Sequence, residues 1–294
     1  MSKLIISEEF LSQIELLQML IKNNVAGQFG GNHRSKTYGS SCEFVDHRDY
    51  IEGDDISKIN WNAYARFDKL YLKLFLDERQ MHTRIYIDAS RSMQYGDSKK
   101  AEQAIKLAAA IAYLSVCEMD KVSIYAIIGG EVKEIITGMV GKENYLSTIN
   151  KLNEIVFDGE SQISKAIVPS SVGYGDGMSV IISDFLTDED YETAIDHLTD
   201  KKRHVFCLQV LAKEEINPQI RGKHHLFDSE NSERTYRRNI DKERARAYKE
   251  ALKYVTEKIG NHCASRGADY LLVSAEDSLH EVFFGRMVGK EVLK

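Results

Sequence analysis

The stretch RIYIDASRS, residues 84–92, is the part of the sequence that decides the fold. Its apolar first half is typical of a buried strand, and Asp88, Ser90 and Ser92 then place a carboxylate and two hydroxyls on the turn that leaves the strand. Open α/β sheets bind ligands beyond the carboxyl ends of their strands, and oxygen ligands suit Mg²⁺ or Ca²⁺. The stretch therefore indicates a divalent-ion site, with helix capping by the same side chains as the alternative.

From residue 83 onward the sequence alternates strand and helix patterns. A hairpin is predicted for Val122–Ile128 and Val132–Ile136, because only three residues separate these apolar runs. The other predicted strands are Arg84–Asp88, Ser179–Asp184, His204–Leu211 and Tyr270–Ser274, and the predicted helices lie near Ser98–Glu118, Lys142–Ile155, Glu189–Thr199 and Asp241–Arg266. Because successive parallel strands are joined by right-handed crossovers, we predict an α/β fold with a doubly wound, mostly parallel sheet.

Two more segments supply oxygen atoms to the same predicted edge of the sheet. Asp184 ends the apolar run VIISD, so it would lie beside Asp88 if the two strands are neighbours across the switch point of the sheet. The loop at residues 157–164 precedes a short helical run and offers Ser161 as a third hydroxyl. Each aspartate alone is equally consistent with helix capping, but the pairing of Asp88 with Asp184 favours a metal site.

Composition and charge argue against several classes of protein. The chain has 294 residues, a net charge of −6 and a pI of about 5.9, which argues against a dedicated nucleic-acid or anionic-membrane binder. The longest apolar stretch is shorter than the ~20 residues of a membrane span, and no signal peptide is recognised. The four cysteines are far apart, without a CxxC pair, which is typical of reduced thiols. We therefore expect a cytoplasmic location.

The order Asp88-x-Ser90-x-Ser92, a later hydroxyl loop and Asp184 resembles the metal-ion-dependent adhesion site of von Willebrand factor A domains. The resemblance covers residues 83–294 and implies a bound Mg²⁺ or another hard divalent ion. In that family the two motif serines contact the ion directly and the aspartates act mostly through water, which implies these roles for the residues here. The third element is usually a threonine; Ser161 is the best match, and Thr137 is a weaker one.

The N-terminal region resembles the bacterial "domain of unknown function 58" family. The matching residues are His33-Arg34-Ser35, Gly39, Glu43-Phe44, Arg48-Asp49-Tyr50, Gly53-Asp54-Asp55-Ile56, Ile59-Asn60-Trp61 and Ala65-Arg66, followed by the DxSxSM sequence that ends at Met93. The resemblance implies an N-terminal accessory segment at residues 1–80 and an A-like domain at 81–294. Members are typically encoded beside MoxR-type AAA-plus ATPases, which implies such an ATPase and client proteins as partners.

Residues 1–80 are expected to form a helix over Glu8–Asn23, where apolar residues recur at helical spacing, followed by irregular and β structure. The segment Gly53–Asp55 predicts a tight turn with positive φ at the glycine, and Arg48 and Arg66 are expected to pair with its aspartates. We expect Trp61 to be buried where this segment contacts the A-like domain.

These patterns predict a non-enzymatic, metal-dependent protein-interaction module. The competing class is a Mg²⁺-dependent phosphatase or phosphotransferase with Asp88 as nucleophile. Such phosphatases commonly carry a second acid two residues after the first, where this chain has Ser90. Phosphate-binding and esterase motifs of the forms GxxxxGK[ST], GxGxxG and GxSxG are also absent from the sequence. No catalytic residue is therefore predicted.

Overall fold

Strands and helices alternate over most of the chain. The computed structural model describes residues 5–28, 44–75, 80–94, 99–170, 177–218, 222–227, 235–240 and 242–287. The strands are β1 (Phe44–Asp49), β2 (Tyr71–Phe75), β3 (His82–Asp88), β4 (Lys121–Ile128), β5 (Glu131–Met139), β6 (Met178–Ser183), β7 (His204–Leu211), β8 (Gly222–Phe227), β9 (Thr235–Ile240) and β10 (Asp269–Ser274). The α-helices are α1 (Glu8–Gln28), α2 (Trp61–Phe67), α3 (Lys99–Cys117), α4 (Lys142–Thr148), α5 (Ile163–Ile167), α6 (Glu192–Asp200), α7 (Lys213–Ile216) and α8 (Lys242–Ser265). Short 3₁₀ helices lie at Ile56–Lys58, Arg91–Gln94 and Ile149–Glu154, and a π-helix lies at Glu281–Met287.

Six strands form the central sheet in the order β10-β7-β6-β3-β4-β5. The pairs β10/β7, β7/β6, β6/β3 and β3/β4 are parallel, and β5 is antiparallel to β4. The predicted doubly wound, mostly parallel sheet is therefore confirmed. Strand β3 lies between β4 and β6, which places the ends of β3 and β6 side by side where the strand order reverses.

Both faces of the sheet are buried. Along β3, Ile85 and Ile87 belong to one apolar cluster, which includes α3, whereas Tyr86 belongs to the cluster on the other face, which includes α6. Successive side chains of a strand point to opposite faces, so a strand covered on both sides must be apolar at every position. This requirement explains why the run IYI precedes Asp88 without a polar interruption.

The edge hairpin follows from two glycines. Gly129 and Gly130 join β4 to β5 with φ of 55° and 81°. A two-residue turn of this kind needs positive φ at both central positions, which glycine adopts without steric strain. The hairpin and its antiparallel edge strand are confirmed.

Three features differ in detail from the sequence prediction. Asp184 lies one residue beyond β6 rather than inside it. The predicted helix Lys142–Ile155 is an α-helix only as far as Thr148 and then continues as the 3₁₀ helix Ile149–Glu154. The antiparallel hairpin of β8 and β9 was not predicted, because its polar sequences GKHHLF and TYRRNI lack the alternation of a half-buried strand.

The described residues divide into two compact units, one of residues 5–21 and 81–287 and the other of residues 22–80. The larger unit includes the first two-thirds of α1 as well as the residues from 81 onward. There, Phe10, Ile14 and Leu17 are buried in the same apolar cluster as α3. Among the described residues, no helix has the length and apolar character needed to cross a bilayer.

In the smaller unit, β1 pairs antiparallel with β2, and an ion pair holds the turn at residues 51–54 that follows β1. Gly53 has φ of 105°, and Arg48 donates two hydrogen bonds to Asp54 at 2.7 and 2.6 Å, which confirms the predicted turn and one of its ion pairs. The predicted burial of Trp61 is wrong, because this side chain is 56% exposed. The buried apolar residues nearby are instead Ile59 and Leu72, which form a β-bridge.

Candidate metal centre

The candidate site is centred on Asp88, the last residue of β3. Its carboxylate is fully buried: Oδ2 accepts hydrogen bonds from Ser161 Oγ at 2.7 Å and Ser183 Oγ at 2.6 Å, and Oδ1 accepts one from the backbone N–H of Ser90 at 3.0 Å. Three separate segments therefore meet at one carboxylate at the carboxyl edge of the sheet.

The two motif serines lie side by side on the turn after β3. Ser90 Oγ and Ser92 Oγ are 3.0 Å apart, and both side chains are buried. Ser92 is part of the 3₁₀ helix Arg91–Gln94, which turns the chain sharply enough to bring alternate hydroxyls together. The spacing of the motif therefore gives a pair of adjacent hydroxyl oxygens.

An ion pair and two backbone hydrogen bonds join this turn to the loop that carries Ser161. Arg91 donates from Nη2 to Asp158 Oδ1 at 2.6 Å, and its backbone N–H donates to the carbonyl of Gly159 at 3.0 Å. The N–H of Asp158 donates in return to the carbonyl of Ala89 at 2.8 Å. These bonds fix the two loops against each other, so Ser161 is held beside Asp88 although it is distant in sequence.

Asp184 completes the group and is held from three sides. Its Oδ1 accepts the N–H of Leu186 at 3.1 Å, its carbonyl accepts a hydrogen bond from Gln209 Nε2 at 2.7 Å, and its Oδ2 accepts one from Lys100 Nζ at 2.8 Å. Lys100 Nζ also donates to Glu215 Oε1 at 2.9 Å. Asp184 is thus part of a buried ion-pair cluster.

The charges of this cluster act on one another. Burial and the negative charge of Asp184 raise the pKa of Asp88 above its ordinary value, although the hydrogen bonds that the carboxylate accepts oppose the shift. Burial lowers the pKa of Lys100, but the charges of Asp184 and Glu215 outweigh this effect, so that pKa is raised. The two aspartates are therefore close enough to interact, and Lys100 is held as an ammonium ion.

The donor set fits a hard cation. All five predicted residues supply oxygen, the ligand atom that Mg²⁺ and Ca²⁺ prefer. Ser161 donates its proton to Asp88, so its oxygen keeps lone pairs that can face a cation. Within the part of the chain that the structure describes, no group of three or more His, Cys, Asp or Glu side chains is arranged to hold a metal. A metal at this site would therefore depend on the serine hydroxyls.

Of the predicted residues, Ser90 and Ser161 hydrogen-bond to Asp88 directly. Ser92 contacts Ser90, and Asp184 follows Ser183, which donates to Asp88. Thr137, the weaker candidate, lies on β5 and donates to Glu134 at 3.2 Å instead. Sequence reasoning missed Ser183, Lys100 and Glu215. Ser183 lies between the apolar run Val180–Ile182 and Asp184, a position that the sequence could have indicated, whereas no pattern in the sequence points to Glu215.

The position of Lys100 in the sequence gives a weaker indication of its role than the position of Ser183 does. It is the second residue of α3, and the N-terminal turn of a helix disfavours cations because the helix dipole is positive there. A lysine in this position is therefore a sign that nearby carboxylates compensate it.

The family model described as "Protein of unknown function DUF58" matches residues 46–257, which is most of the chain. This chain belongs to the DUF58 family. Proteins similar in sequence include an uncharacterized protein of Mycobacterium bovis and one of Mycobacterium tuberculosis, each 23% identical over 222 residues, covering 74% of this chain and 70% of the relative.

Solved structures similar to this DUF58 protein include two of low identity. An aerotolerance-related membrane protein from Bacteroides fragilis is 18% identical with a TM-score of 0.35, covering 62% of this chain and 99% of that one. The VWA domain of SpRpn10 is 10% identical with a TM-score of 0.37, covering 68% of this chain and 92% of that one. The fold of this chain is defined by its own strand order, β10-β7-β6-β3-β4-β5.

Proposed function

We propose that this DUF58 protein is a metal-dependent protein-interaction module whose ion is held by Asp88, Ser90, Ser92, Ser161 and Asp184. The observation that carries the proposal is the meeting of three segments at Asp88, where the hydroxyls of Ser161 and Ser183 donate to the carboxylate at 2.7 and 2.6 Å. This arrangement orients hydroxyl oxygens at the edge of the sheet where open α/β folds bind ligands.

The residues have two kinds of role in this proposal. Ser90, Ser92 and Ser161 offer neutral oxygens to Mg²⁺ or a similar hard ion, while Asp88 and Asp184 orient these groups and balance the charge. Neutral ligands leave much of the charge of the ion uncompensated, so a carboxylate from a partner protein is a favourable additional ligand. All five residues are buried, so binding of an ion and of a partner's carboxylate requires the segments around Asp88 to separate.

The partner that we propose is a MoxR-type AAA-plus ATPase, with client proteins as possible further ligands. The proposal is supported by the family resemblance, and by the absence from this sequence of a nucleotide-binding motif. Any work driven by ATP would therefore be performed by the partner, in the cytoplasm, with this chain as an accessory protein.

Calorimetric titration with Mg²⁺ tests the metal site directly. We expect the wild type to bind one ion and the Asp88→Ala/Ser90→Ala double variant to lose that binding, whereas Ser147→Ala, a matched change on the exposed side of α4, should bind as the wild type does. Bound ion should also raise the melting temperature, because a ligand at a hundredfold excess over Kd stabilises the native state by about 2.7 kcal/mol. Equal binding by wild type and double variant would show that the ion lies elsewhere.

A partner assay tests the second half of the proposal. Immobilised wild type should retain a purified MoxR-type ATPase in Mg²⁺ and release it in chelator, and the double variant should fail to retain it in either buffer. Retention that neither perturbation changes would place the contact outside this site.

The geometry does not favour the alternative of a phosphatase. A nucleophilic carboxylate needs an oxygen directed at the substrate, whereas both oxygens of Asp88 accept hydrogen bonds from the protein and the side chain is fully buried. Phosphate release from p-nitrophenyl phosphate by wild type, and its loss in Asp88→Asn, would support the enzyme instead.

A further inference from the structure

Lys100 is an unusual residue for its position in the fold. Its side chain is 1% exposed, although lysine is almost never fully buried unless it is paired. It also lies in the first turn of α3, where the helix dipole disfavours a cation. Both effects oppose an ammonium ion here, so the pairing partners must be strong.

The partners are two carboxylates on different segments. Lys100 Nζ lies 2.8 Å from Asp184 Oδ2 and 2.9 Å from Glu215 Oε1, with 1% and 14% of the respective carboxylate side chains exposed. Glu215 is itself fixed, because its Oε2 accepts the N–H of Ala212 at 2.7 Å. The ammonium group therefore links the end of β6 to α7 inside the protein.

This link affects the candidate ion site through Asp184. One oxygen of that carboxylate accepts the N–H of Leu186 and the other accepts Lys100, so an incoming ion must share Asp184 with a cation that is already present. The positive charge of Lys100 also repels a second cation, and buried charges are screened weakly.

We propose that Lys100 is an internal cation that competes with the divalent ion for Asp184 and thereby sets a low affinity of the site for the ion. The inference rests on the proposed metal site and assigns its regulation. Glu215 weakens the competition of Lys100 with the ion, because it also binds the ammonium group and draws part of its charge away from Asp184. Lys100 and Glu215 together therefore set the affinity of the site for the ion.

Calorimetric titration of the full chain with Mg²⁺, and separately with Mn²⁺, tests the inference. We expect Lys100→Met to lower the Kd at least tenfold, since it frees Asp184 and removes a positive charge. Glu215→Gln should raise the Kd several-fold, since Glu215 then no longer draws part of the ammonium charge away from Asp184. The matched control is Lys99→Met, at the adjacent position, where the lysine is 47% exposed and pairs with Glu276 at 2.7 Å. Its Kd should equal that of the wild type.

A double variant separates competition for Asp184 from net charge. Lys100→Met/Glu215→Gln has the same formal charge as the wild type, and it also avoids leaving a third buried carboxylate uncompensated if Lys100→Met alone fails to fold. If Lys100 competes directly, the double variant binds the ion more tightly than the wild type. Equal Kd values for wild type, the double variant and Glu215→Gln would overturn the inference.

Adding Ser90→Ala to the double variant distinguishes the inference from the proposed metal site. Loss of ion binding in this triple variant shows that the tighter ion occupies the proposed site. If wild type binds an ion that Ser90→Ala removes, but the Lys100 variants bind as wild type does, the inference fails while the metal site stands. If no variant binds Mg²⁺ or Mn²⁺, both are wrong.

Discussion

Ser161 Oγ donates a hydrogen bond of 2.7 Å to Asp88 Oδ2 across 73 residues of sequence. Both side chains are buried, so water cannot replace this hydrogen bond if it is broken. It joins the loop before α5 to the end of β3, and its partner bond from Ser183 joins the end of β6 to the same oxygen. The site is therefore held together by hydroxyl groups that converge on one carboxylate.

The first prediction concerns this bond. Ser161→Ala removes a donor to a buried carboxylate, and the loss should lower the free energy of unfolding by roughly 1–3 kcal/mol. Urea denaturation monitored by circular dichroism measures the change, with Ser147→Ala as the surface control. The same variant should bind Mg²⁺ more weakly in the titration. Unchanged stability and unchanged ion affinity would both contradict the placement of Ser161.

The general architecture could be predicted because it depends on local patterns. Apolar runs of strand length, each followed by a helical pattern, define the sheet, and Gly129-Gly130 identifies the single antiparallel hairpin of the edge. Asp88 and Asp184 could be paired in advance because parallel neighbouring strands end at the same edge of the sheet.

Local sequence patterns could not predict ion pairs between residues that are far apart in the sequence. Lys100 meets Asp184 and Glu215 across 84 and 115 residues, and nothing in the spacing of the sequence encodes either distance. The exposed position of Trp61 was also missed, because a large aromatic residue indicates burial only on average and α2 has no buried residue.

The second prediction concerns Gly177, directly before β6. At φ of 149° a Cβ atom would lie 2.5 Å from the carbonyl oxygen of His82 and 3.0 Å from Arg203 Nη1. Gly177→Ala should therefore lower the free energy of unfolding by more than about 2 kcal/mol, since strain and steric overlap act together. Gly267→Ala is the matched control, because its φ of 67° is also positive but a Cβ there meets no atom within 4 Å. A smaller loss in Gly177→Ala than in the control would contradict this account.

The third prediction is a pH dependence that His82 contributes. Burial, followed by the nearby positive charges of Arg84, Lys121 and Arg203, lowers the pKa of His82 from 6.5 to about 4. Between pH 6.5 and about 4 the unfolded chain therefore binds a proton that the folded chain excludes, so stability is lost as the pH falls through this window. Above pH 6.5 both states are neutral at this residue and the contribution is constant.

His82→Gln should accordingly lose less stability than the wild type between pH 7 and pH 5, as measured by urea denaturation at each pH. The control His280→Gln, at an exposed position on the C-terminal side of β10, should follow the wild type. If His82→Gln and wild type lose equal stability over this interval, the histidine is not held neutral by the fold.

The last prediction follows from combining Lys100 with the proposed partner. Lys100 already neutralises part of the negative charge of Asp184, so Asp184 holds an ion weakly. A carboxylate from the partner supplies the missing negative charge and should therefore raise the affinity of the site for the ion strongly.

By linkage, the factor by which a partner raises the affinity for Mg²⁺ equals the factor by which Mg²⁺ raises the affinity for the partner. We expect both factors to be at least tenfold for the wild type, measured as the Kd of a MoxR-type ATPase with Mg²⁺ and with chelator. In Lys100→Met the factor should be smaller, because Asp184 is then free for the ion before the partner arrives, whereas Lys99→Met should behave as wild type. A partner Kd that is the same with Mg²⁺ and with chelator would show that ion and partner bind independently.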